Sequence, residues 1–175
     1  MTEPLVIHGR PPRSTAVALL QAPELPAADI TDQHFEHSFF VGSDGAPTGL
    51  VGLEIYGADA LLRSLVVAEN ARSKGLGSAL AEHAEQYAGS KRVRSIYLLT
   101  TTAGAFFKRL GYERVDRSQA PSCIERTREF ASLCPASSAF MVKSHLSLGV
   151  IHEATPCTCQ REGSSRLDPV LSDLV

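Results

Sequence analysis

Residues 70–80, NARSKGLGSAL, place two cations and two glycines directly before an amphipathic helical pattern. The first turn of a helix has backbone N–H groups without helical partners and carries a partial positive charge. Glycine has no Cβ, so an anion can approach the backbone at Gly75 and Gly77, and Arg72 and Lys74 add positive charge there. The segment therefore predicts a backbone cradle for a diphosphate. A glycine-rich turn with solvated cations is the alternative that so short a motif leaves open.

The hydrophobic pattern on both sides of this segment predicts strands that alternate with helices. The helix that begins at about Gly75 is expected to run to Ala88 and to end at Gly89. Strands are predicted at 5–10, 38–41, 49–56, 60–68, 93–100, 112–115 and 138–143. Further helices are predicted at 13–21, from a cap at Thr102 to Leu110, and irregularly over 118–131. The order indicates an α/β (α+β) protein with a mixed sheet and helices on its faces.

Composition excludes several classes of function. The chain has 175 residues, of which 43% are hydrophobic, so one domain over residues 1–144 is expected, followed by a weakly ordered tail at 145–175. A net charge of −2 and the absence of Trp argue against nucleic acid and membranes as partners. We see no signal peptide and no membrane-spanning run, so we expect a cytoplasmic protein with reduced thiols.

Two segments resemble the GCN5-related N-acetyltransferases (GNAT). LLRSLVVAENARSKGLGSALAEHAEQYA, residues 61–88, is similar to the strand, R/Q-x-x-G-x-G/A loop and helix of that family, with the motif at 72–77. IYLLTTTAGAFFKRLGYERV, residues 96–115, is similar to the next strand, helix and LGY turn. The resemblance covers roughly residues 5–143. It implies a mostly antiparallel sheet of about six to seven strands, splayed between its two central parallel strands, with acetyl-CoA as the acetyl donor.

A narrower resemblance concerns the acceptor. YLLTTTAGAFFKRLGY, together with APSCIERTREFASLCPASSAFMVK at 120–143, is similar to acetyltransferases of arsenic-resistance operons. LLTTTAGAFFKRLGY is also similar to amino-acid acetyltransferases of the N-acetylglutamate synthase type. These similarities imply an amino acid or glutamate analogue, such as an arsenical or a phosphinic antibiotic, as the acceptor.

The resemblance also implies where acetyl-CoA is held. Its diphosphate would bind the N–H groups of the loop, and its pantetheine arm would pair with the strand backbone at Leu65 and Val67. The N–H near Leu65 would stabilise the charge that develops on the thioester carbonyl oxygen. The residues assigned to cofactor binding are Leu65, Val66, Val67, Arg72, Ser73, Lys74, Gly75, Leu76, Gly77, Ser78, Thr102 and Phe106.

A carboxylate is expected to take the proton of the amine, with Glu54 as the first candidate and Glu69 as the second. A solvent-facing strand residue is the alternative for Glu54. Many members of the family carry a Tyr that protonates the leaving thiolate, whereas this chain has Phe107 there, beside Phe106. Since the thiol of CoA should have a pKa near ~8.5, the thiolate can leave without that acid.

For the acceptor, a carboxylate would need a cation. Arg63 interrupts an apolar strand and is the least ordinary candidate, and Arg126 or Arg128 is the alternative. Ser64, Thr100 and Thr101 are further candidates because they lie along or at the end of the two central strands. Surface salt bridges and helix capping are the competing interpretations of the arginines and threonines.

The remaining polar groups indicate no further site. Cys157 and Cys159 flank one residue and do not have the spacing of a zinc knuckle, so no metal site is expected. Cys123 and Cys134 are interpreted as packing residues. His34 and His37 are interpreted as exposed loop residues.

Other classes of function stay open. A catalytically inactive module that binds acyl-CoA and an acetyltransferase for protein N-termini or lysines are both compatible with the sequence. Apolar residues on the last strands would permit a homodimer.

Overall fold

The structure, a computed structural model, describes residues 5–21 and 30–144. The strands are β1 His8–Gly9, β2 Ser38–Ser43, β3 Ala46–Tyr56, β4 Asp59–Val67, β5 Ser95–Thr100, β6 Glu113–Val115 and β7 Ala139–Ser144. The α-helices are α1 Arg13–Gln21, α2 Asp32–Phe35, α3 Leu76–Ser90, α4 Gly104–Arg109 and α5 Ser122–Glu125. Single 3₁₀ turns lie at Glu69–Ala71 and Arg117–Gln119, and a π-helical turn lies at Glu129–Leu133.

The seven strands form one mixed sheet in the order β1-β2-β3-β4-β5-β7-β6. Every neighbouring pair is antiparallel except β4 and β5, which are parallel and are joined through α3. A parallel pair requires such a crossover, since a tight turn joins only antiparallel strands. The predicted fold class is therefore confirmed.

Apolar side chains fill both faces of the sheet. Leu80 and Ala84 of α3 pack with Leu53 and Leu62 on one face, as the predicted apolar face of that helix requires. On the other face, Leu20 of α1 belongs to a separate cluster. A third cluster contains Leu61, Leu99, Cys123, Ile124 and Phe140. Successive side chains of a strand point to opposite faces, so the residues of β4 serve different clusters.

Three local predictions were wrong. The first strand contains only His8–Gly9, since Arg10 adopts a left-handed φ of 58° directly before two prolines. Gly89 lies inside α3, and Arg92, at φ 65°, is the left-handed residue that ends it. Thr102 does not cap α4, because the N-cap is Ala103 and its N–H donates to Thr100 Oγ1 at 2.9 Å.

Candidate active site

The parallel strands β4 and β5 separate after a short paired stretch. Their registered pairs are Asp59↔Ser95, Ala60↔Ile96 and Leu61↔Tyr97. Beyond this point β5 continues to pair with β7 as far as Thr100↔Ala139, while β4 pairs with β3 on its other edge. The sheet is thus split along its middle, as the resemblance implied.

A β-bulge shapes the β4 side of this split. Gly52 pairs with Arg63 and Leu50 pairs with Val66, so Ser64 and Leu65 together stand opposite the single residue Val51. Ser64 has a left-handed φ of 58°. An extra residue bends a strand and re-aims its side chains. The left-handed φ is uncommon for a non-glycine residue and is often found at functional sites.

The split opens into a cleft with a volume of about 450 Å³. Its walls come from the separated half of β4, from the end of β5 and from the chain before β7. The described residues that line it are Leu62, Arg63, Ser64, Leu65, Leu98, Leu99, Thr100, Thr101, Thr102, Ala103, Phe107, Glu129, Leu133, Cys134 and Pro135. The cleft therefore brings together six predicted site residues, namely Arg63, Ser64, Leu65, Thr100, Thr101 and Thr102.

Residues 72–78, here called the phosphate loop, follow β4 and lead into α3. Ser73 and Gly75 have left-handed φ values of 65° and 75° on either side of Lys74. Gly75 is the N-cap, and the first helical hydrogen bond runs from Ala79 N to Gly75 O at 3.0 Å. The N–H groups of residues 76–78 thus come before the first helical hydrogen bond of α3 and are not used by it. Left-handed residues in such turns make neighbouring N–H groups converge on an anion.

The phosphate loop has the room that a diphosphate needs. A Cβ built on Gly75 would meet nothing within 4 Å, so the space over this backbone is open. A Cβ on Gly77 would lie 3.5 Å from Phe106 and 3.7 Å from Val67. Arg72 is exposed, and its Nε donates to the carbonyl of Val67 at 3.2 Å, which ties the loop to the end of β4. The loop therefore fits the cofactor group predicted for it.

Within the cleft, Arg63 lies between two carboxylates. Its Nη1 donates to Glu54 Oε1, and its Nε lies 3.2 Å from Glu129 Oε2. The Arg63 side chain is 3% exposed, and each glutamate side chain is 10% exposed. We call these three residues the charge cluster. A buried guanidinium needs such partners, because an uncompensated buried charge is costly.

Glu54 has polar partners besides Arg63. The Tyr56 hydroxyl donates to Glu54 Oε2 at 2.5 Å, and His34 Nε2 lies 3.4 Å from Glu54 Oε1. Burial, followed by the hydrogen bond to Glu54, raises the pKa of Tyr56 far above its usual value, so this hydroxyl stays a donor. Glu54 is held firmly and is not among the described residues that line the cleft. Its predicted role as base stays a prediction.

Other predicted residues lie apart from the cleft. Arg126 and Arg128 are exposed beside α5, and Glu69 is exposed in a 3₁₀ turn, with its carboxylate 3.8 Å from Arg72.

Phe107 is buried and lines the cleft, which contains no tyrosine among its described residues. His34 lies in α2, and His37 lies in the turn after it with Nδ1 2.9 Å from the Tyr87 hydroxyl; both are partly buried, so the expectation of exposed residues was wrong.

Sequence reasoning missed Glu129 as a site residue. Arg126 and Arg128 of the segment CIERTREF were predicted as site residues, but both are exposed, whereas Glu129 directly after them is buried. Its π-helical turn has no sequence signature, but such turns are frequent at functional sites. Cys134 lies beside it, with Sγ 3.9 Å from Glu129 Oε1. A charged residue within an otherwise half-apolar segment was the available signal.

Within residues 5–21 and 30–144, no helix is long and apolar enough to cross a membrane, and no cluster of metal-binding side chains is found. Cys157 and Cys159 belong to the tail and lie outside the described residues. The predicted tail at 145–175 lies outside the described residues, so the boundary at 144 stays a prediction.

A split mixed sheet with a glycine-rich phosphate loop after the first central strand is the architecture implied by the resemblance. Residues 11–112 match the sequence profile of the acetyltransferase (GNAT) family. This match covers more than half of the 175 residues. The chain belongs to that family, whose acetyl donor is acetyl-CoA.

A sequence relative is an uncharacterized N-acetyltransferase of Chlorobaculum tepidum, 34% identical over 95 residues. The aligned part is 54% of this chain and 61% of that protein, so the match spans less than two thirds of the relative.

Solved structures support the fold. N-acetylglutamate synthase of Neisseria gonorrhoeae, complexed with coenzyme A and N-acetyl-glutamate, matches 82% of this chain and 36% of its own, with a TM-score of 0.69 and 16% identity. A Mycobacterium tuberculosis protein in complex with CoA has a TM-score of 0.66 at 16% identity, over 81% of this chain and 99% of its own. A GNAT-family acetyltransferase of Staphylococcus aureus has a TM-score of 0.63 at 15% identity, over 81% and 99%.

Proposed function

We propose that the chain is an acetyl-CoA-dependent N-acetyltransferase that acetylates the amine of a small molecule. The observation that carries this proposal is the cleft between β4 and β5, which is lined by Arg63 and Glu129 of the charge cluster and by the half of β4 that leads towards the phosphate loop. A long thioester and an amine must meet in such a cleft for the acetyl group to pass between them.

The cofactor would be held mainly by backbone groups. N–H groups of the phosphate loop would bind the diphosphate, and the separated edge of β4 at Leu65 and Val67 would pair with the pantetheine arm. The Leu65 N–H is our candidate donor to the carbonyl oxygen of the thioester. The amine nitrogen then forms a bond to the acetyl carbon, and the carbon–sulfur bond breaks with its electron pair on sulfur. Counted from the ammonium form of the acceptor, one of its three protons goes to a base before the attack, the second goes from nitrogen to solvent or to the thiolate, and the third stays on the amide nitrogen.

Glu54 is our candidate for that base, acting directly or through water. A positioned base contributes about 10²–10⁴-fold to a rate, so we expect Glu54→Gln to lower kcat by an amount in this range. The KM for acetyl-CoA should change little, because the phosphate loop is intact. A kcat that stays within a few-fold of wild type would assign Glu54 to the support of Arg63 instead.

The acceptor that we propose is an amino acid or a glutamate analogue, including an arsenical or phosphinic one. Its support is the resemblance of residues 97–112 and 120–143 to arsenic-operon and N-acetylglutamate synthase-type enzymes, together with the structural similarity to the Neisseria synthase. Arg63 already carries two carboxylates. A glutamate-like acceptor would therefore either displace Glu129 from Arg63 or bind its acidic groups at Ser64 and the threonines of the cleft.

A module that binds acyl-CoA without catalysis is the second candidate. It is favoured by Phe107, which lines the cleft where many relatives of the family carry the acidic tyrosine. In that case the protein would bind CoA, hydrolyse acetyl-CoA slowly and transfer the acetyl group to no amine.

The deciding experiment measures thiol release from acetyl-CoA with a panel of amines. The panel contains glutamate, other amino acids, a phosphinic glutamate analogue, the arsenical, a peptide with a free N-terminus and a lysine peptide, and calorimetry measures CoA binding in parallel. Turnover of a free amino acid or analogue supports the proposal, and preference for the peptides supports a protein acetyltransferase. CoA binding without turnover supports the second candidate, and folded protein without CoA affinity rejects all three. A homodimer remains a prediction that light scattering on the same protein tests.

A further inference from the structure

A second hollow lies beside the edge strand β6, and we call it the β6 hollow. It has a volume of about 430 Å³ and is lined by residues 114–117, 136, 138 and 140. None of these residues lines the cleft between β4 and β5. Hollows of about 300–1,000 Å³ accommodate small-molecule ligands, so the β6 hollow has room for one.

Arg117 presents a fixed positive charge to the β6 hollow. Its Nη2 donates to the carbonyl of Phe130 at 2.7 Å, its Nη1 lies 3.3 Å from the carbonyl of Pro135, and its Cζ lies 4.2 Å from the centroid of the Phe130 ring. Within residues 5–21 and 30–144, Arg117 makes no salt bridge. Its partners are thus neutral, and a guanidinium fork matches the oxygens of a carboxylate or phosphate.

Ser138 adds a buried hydroxyl to the lining of the β6 hollow. The residue is 4% exposed, and its Oγ has no hydrogen-bond partner in the described part of the chain. A buried hydroxyl without a partner costs free energy, and a serine O–H can rotate toward an acceptor. The Ser138 N–H donates at 2.9 Å to the Pro135 carbonyl that also accepts from Arg117, so one turn holds both donors.

The charges that line the β6 hollow favour an anion. Arg114 is exposed on β6 and, like Arg117, makes no salt bridge to a described residue. Asp116 opposes the two arginines, because hydrogen bonds from Ser118 lower the pKa of its carboxyl and keep it ionised at neutral pH. Two cations against one carboxylate leave the lining complementary to a negative group.

We propose that the β6 hollow binds the carboxylate or phosphate group of a small organic anion. Arg117 and Ser138 would donate hydrogen bonds to its oxygens, and Arg114 would add electrostatic attraction. The site lies outside the cleft, so this inference goes beyond the proposed function and does not depend on acetyl transfer. The anion would contact the chain before β7, which lines the cleft through Glu129 and Pro135.

The test titrates the CoA-loaded full chain with sodium phosphate and with sodium succinate in a calorimeter, with the ionic strength held constant by sodium chloride. Ser138→Ala removes the hydroxyl, and Ser137→Ala is the matched control, because Ser137 is exposed and does not line the hollow. A hydrogen bond to a charged group corresponds to about a 10- to 100-fold effect. We expect S138A to raise the Kd of the anion by this factor and S137A to match wild type. The tighter of the two anions identifies the group that the site prefers.

Two further measurements support the assignment to the β6 hollow. Arg114→Gln removes an exposed charge and should raise the Kd by about two- to fivefold. Thermal unfolding compares stability with and without the anion. In chloride alone, S138A should unfold at or above the temperature of wild type, because the hydroxyl that it lacks has no partner among the described residues. The anion should then stabilise wild type and S137A more than S138A.

The outcomes are independent of turnover. Absence of phosphate and succinate binding above the chloride background in wild type would overturn the proposal. Equal anion affinities in S138A and S137A would also overturn it, since the anion would then bind elsewhere, for example at the phosphate loop. A protein that binds the anion through Ser138 but acetylates no amine would keep this site while losing the proposed function.

Discussion

The phosphate loop, which follows β4, and the charge cluster, which is centred on Arg63 of β4, are built in different ways. The phosphate loop is local: residues 72–78 supply backbone N–H groups, and the left-handed Ser73 and Gly75 orient them. The charge cluster is assembled from β3, β4 and the turn before β7: Glu54 is nine residues from Arg63 across the β3–β4 hairpin, whereas Glu129 comes from a distant part of the chain. In the proposed function, the loop binds the diphosphate of the cofactor that the family shares, and the cluster lies where the acceptor would bind.

The phosphate loop and the charge cluster are therefore sensitive to different kinds of substitution. Backbone donors survive most side-chain substitutions but depend on room over the glycines. Buried charges depend on every partner, because removing one leaves another uncompensated. The same kind of substitution should therefore affect binding at the loop and folding at the cluster.

The largest effect is expected for Arg63→Met, which should disrupt the charge cluster and lower the free energy of unfolding. The substitution leaves Glu54 and Glu129 buried without their guanidinium, and breaking a buried pair costs about 3–5 kcal/mol. Urea unfolding measures the change in the free energy of unfolding. Arg114→Met is the control, because Arg114 lies exposed on β6.

A second substitution sharpens this test. Adding Glu129→Gln to R63M removes one of the two stranded charges, so the double variant should recover part of the lost stability. Non-additivity of this kind is expected for residues in one network. An R63M protein within 1 kcal/mol of wild type would contradict a tightly coupled cluster.

In the phosphate loop, Gly75→Asp should weaken the binding of CoA with little effect on folding. Asp tolerates a left-handed φ better than most residues, but its Cβ and charge enter the open space over the loop. Loss of charge-assisted bonds to a diphosphate should raise the Kd for CoA by about 10- to 100-fold. Calorimetry with CoA measures this effect.

Gly57→Asp is the matched control. Gly57 also has a left-handed φ, 66°, and also has open space around its Cβ position, but it lies in the turn between β3 and β4. Any backbone strain is thus similar in the two variants. Equal CoA affinity of G75D and G57D would remove the phosphate loop from the proposed site.

The smallest effect concerns a position outside the phosphate loop and the charge cluster. Arg92 adopts φ 65° where α3 ends, with hydrogen bonds from Arg92 N to Gly89 O and from Val93 N to Ala88 O. This is a Schellman arrangement, in which glycine is the preferred left-handed residue. Arg92→Gly should therefore stabilise the fold by about 0.5–1 kcal/mol, as thermal unfolding would measure, without changing CoA affinity.

Lys91→Gly provides the contrast for that variant. Lys91 has φ −92°, which any residue adopts, so glycine there adds only flexibility and should lower stability. Stabilisation by both substitutions, or by neither, would contradict the explanation from backbone conformation.

Much of the fold could be predicted because its signals are periodic. The helix at Arg13–Gln21 was predicted at its observed bounds, and the three strands from β2 to β4 were placed within a few residues. The ends of the helices were harder to predict, because the residue at which a helix terminates depends on which residue adopts a left-handed φ. Gly89 has the freedom to do so, but hydrogen bonds to Ala88 and Gly89 put Arg92 in that position.

The sequence by itself determined the phosphate loop and the family, because the residues that form the loop are adjacent in the chain. It also pointed to Arg63, since a cation inside an apolar strand needs a partner. Only the tertiary structure decided which carboxylates meet that cation, and only it brought Glu129 to the cleft. The physical reason is that contacts between distant segments depend on sheet order and strand separation, which local periodicity does not encode.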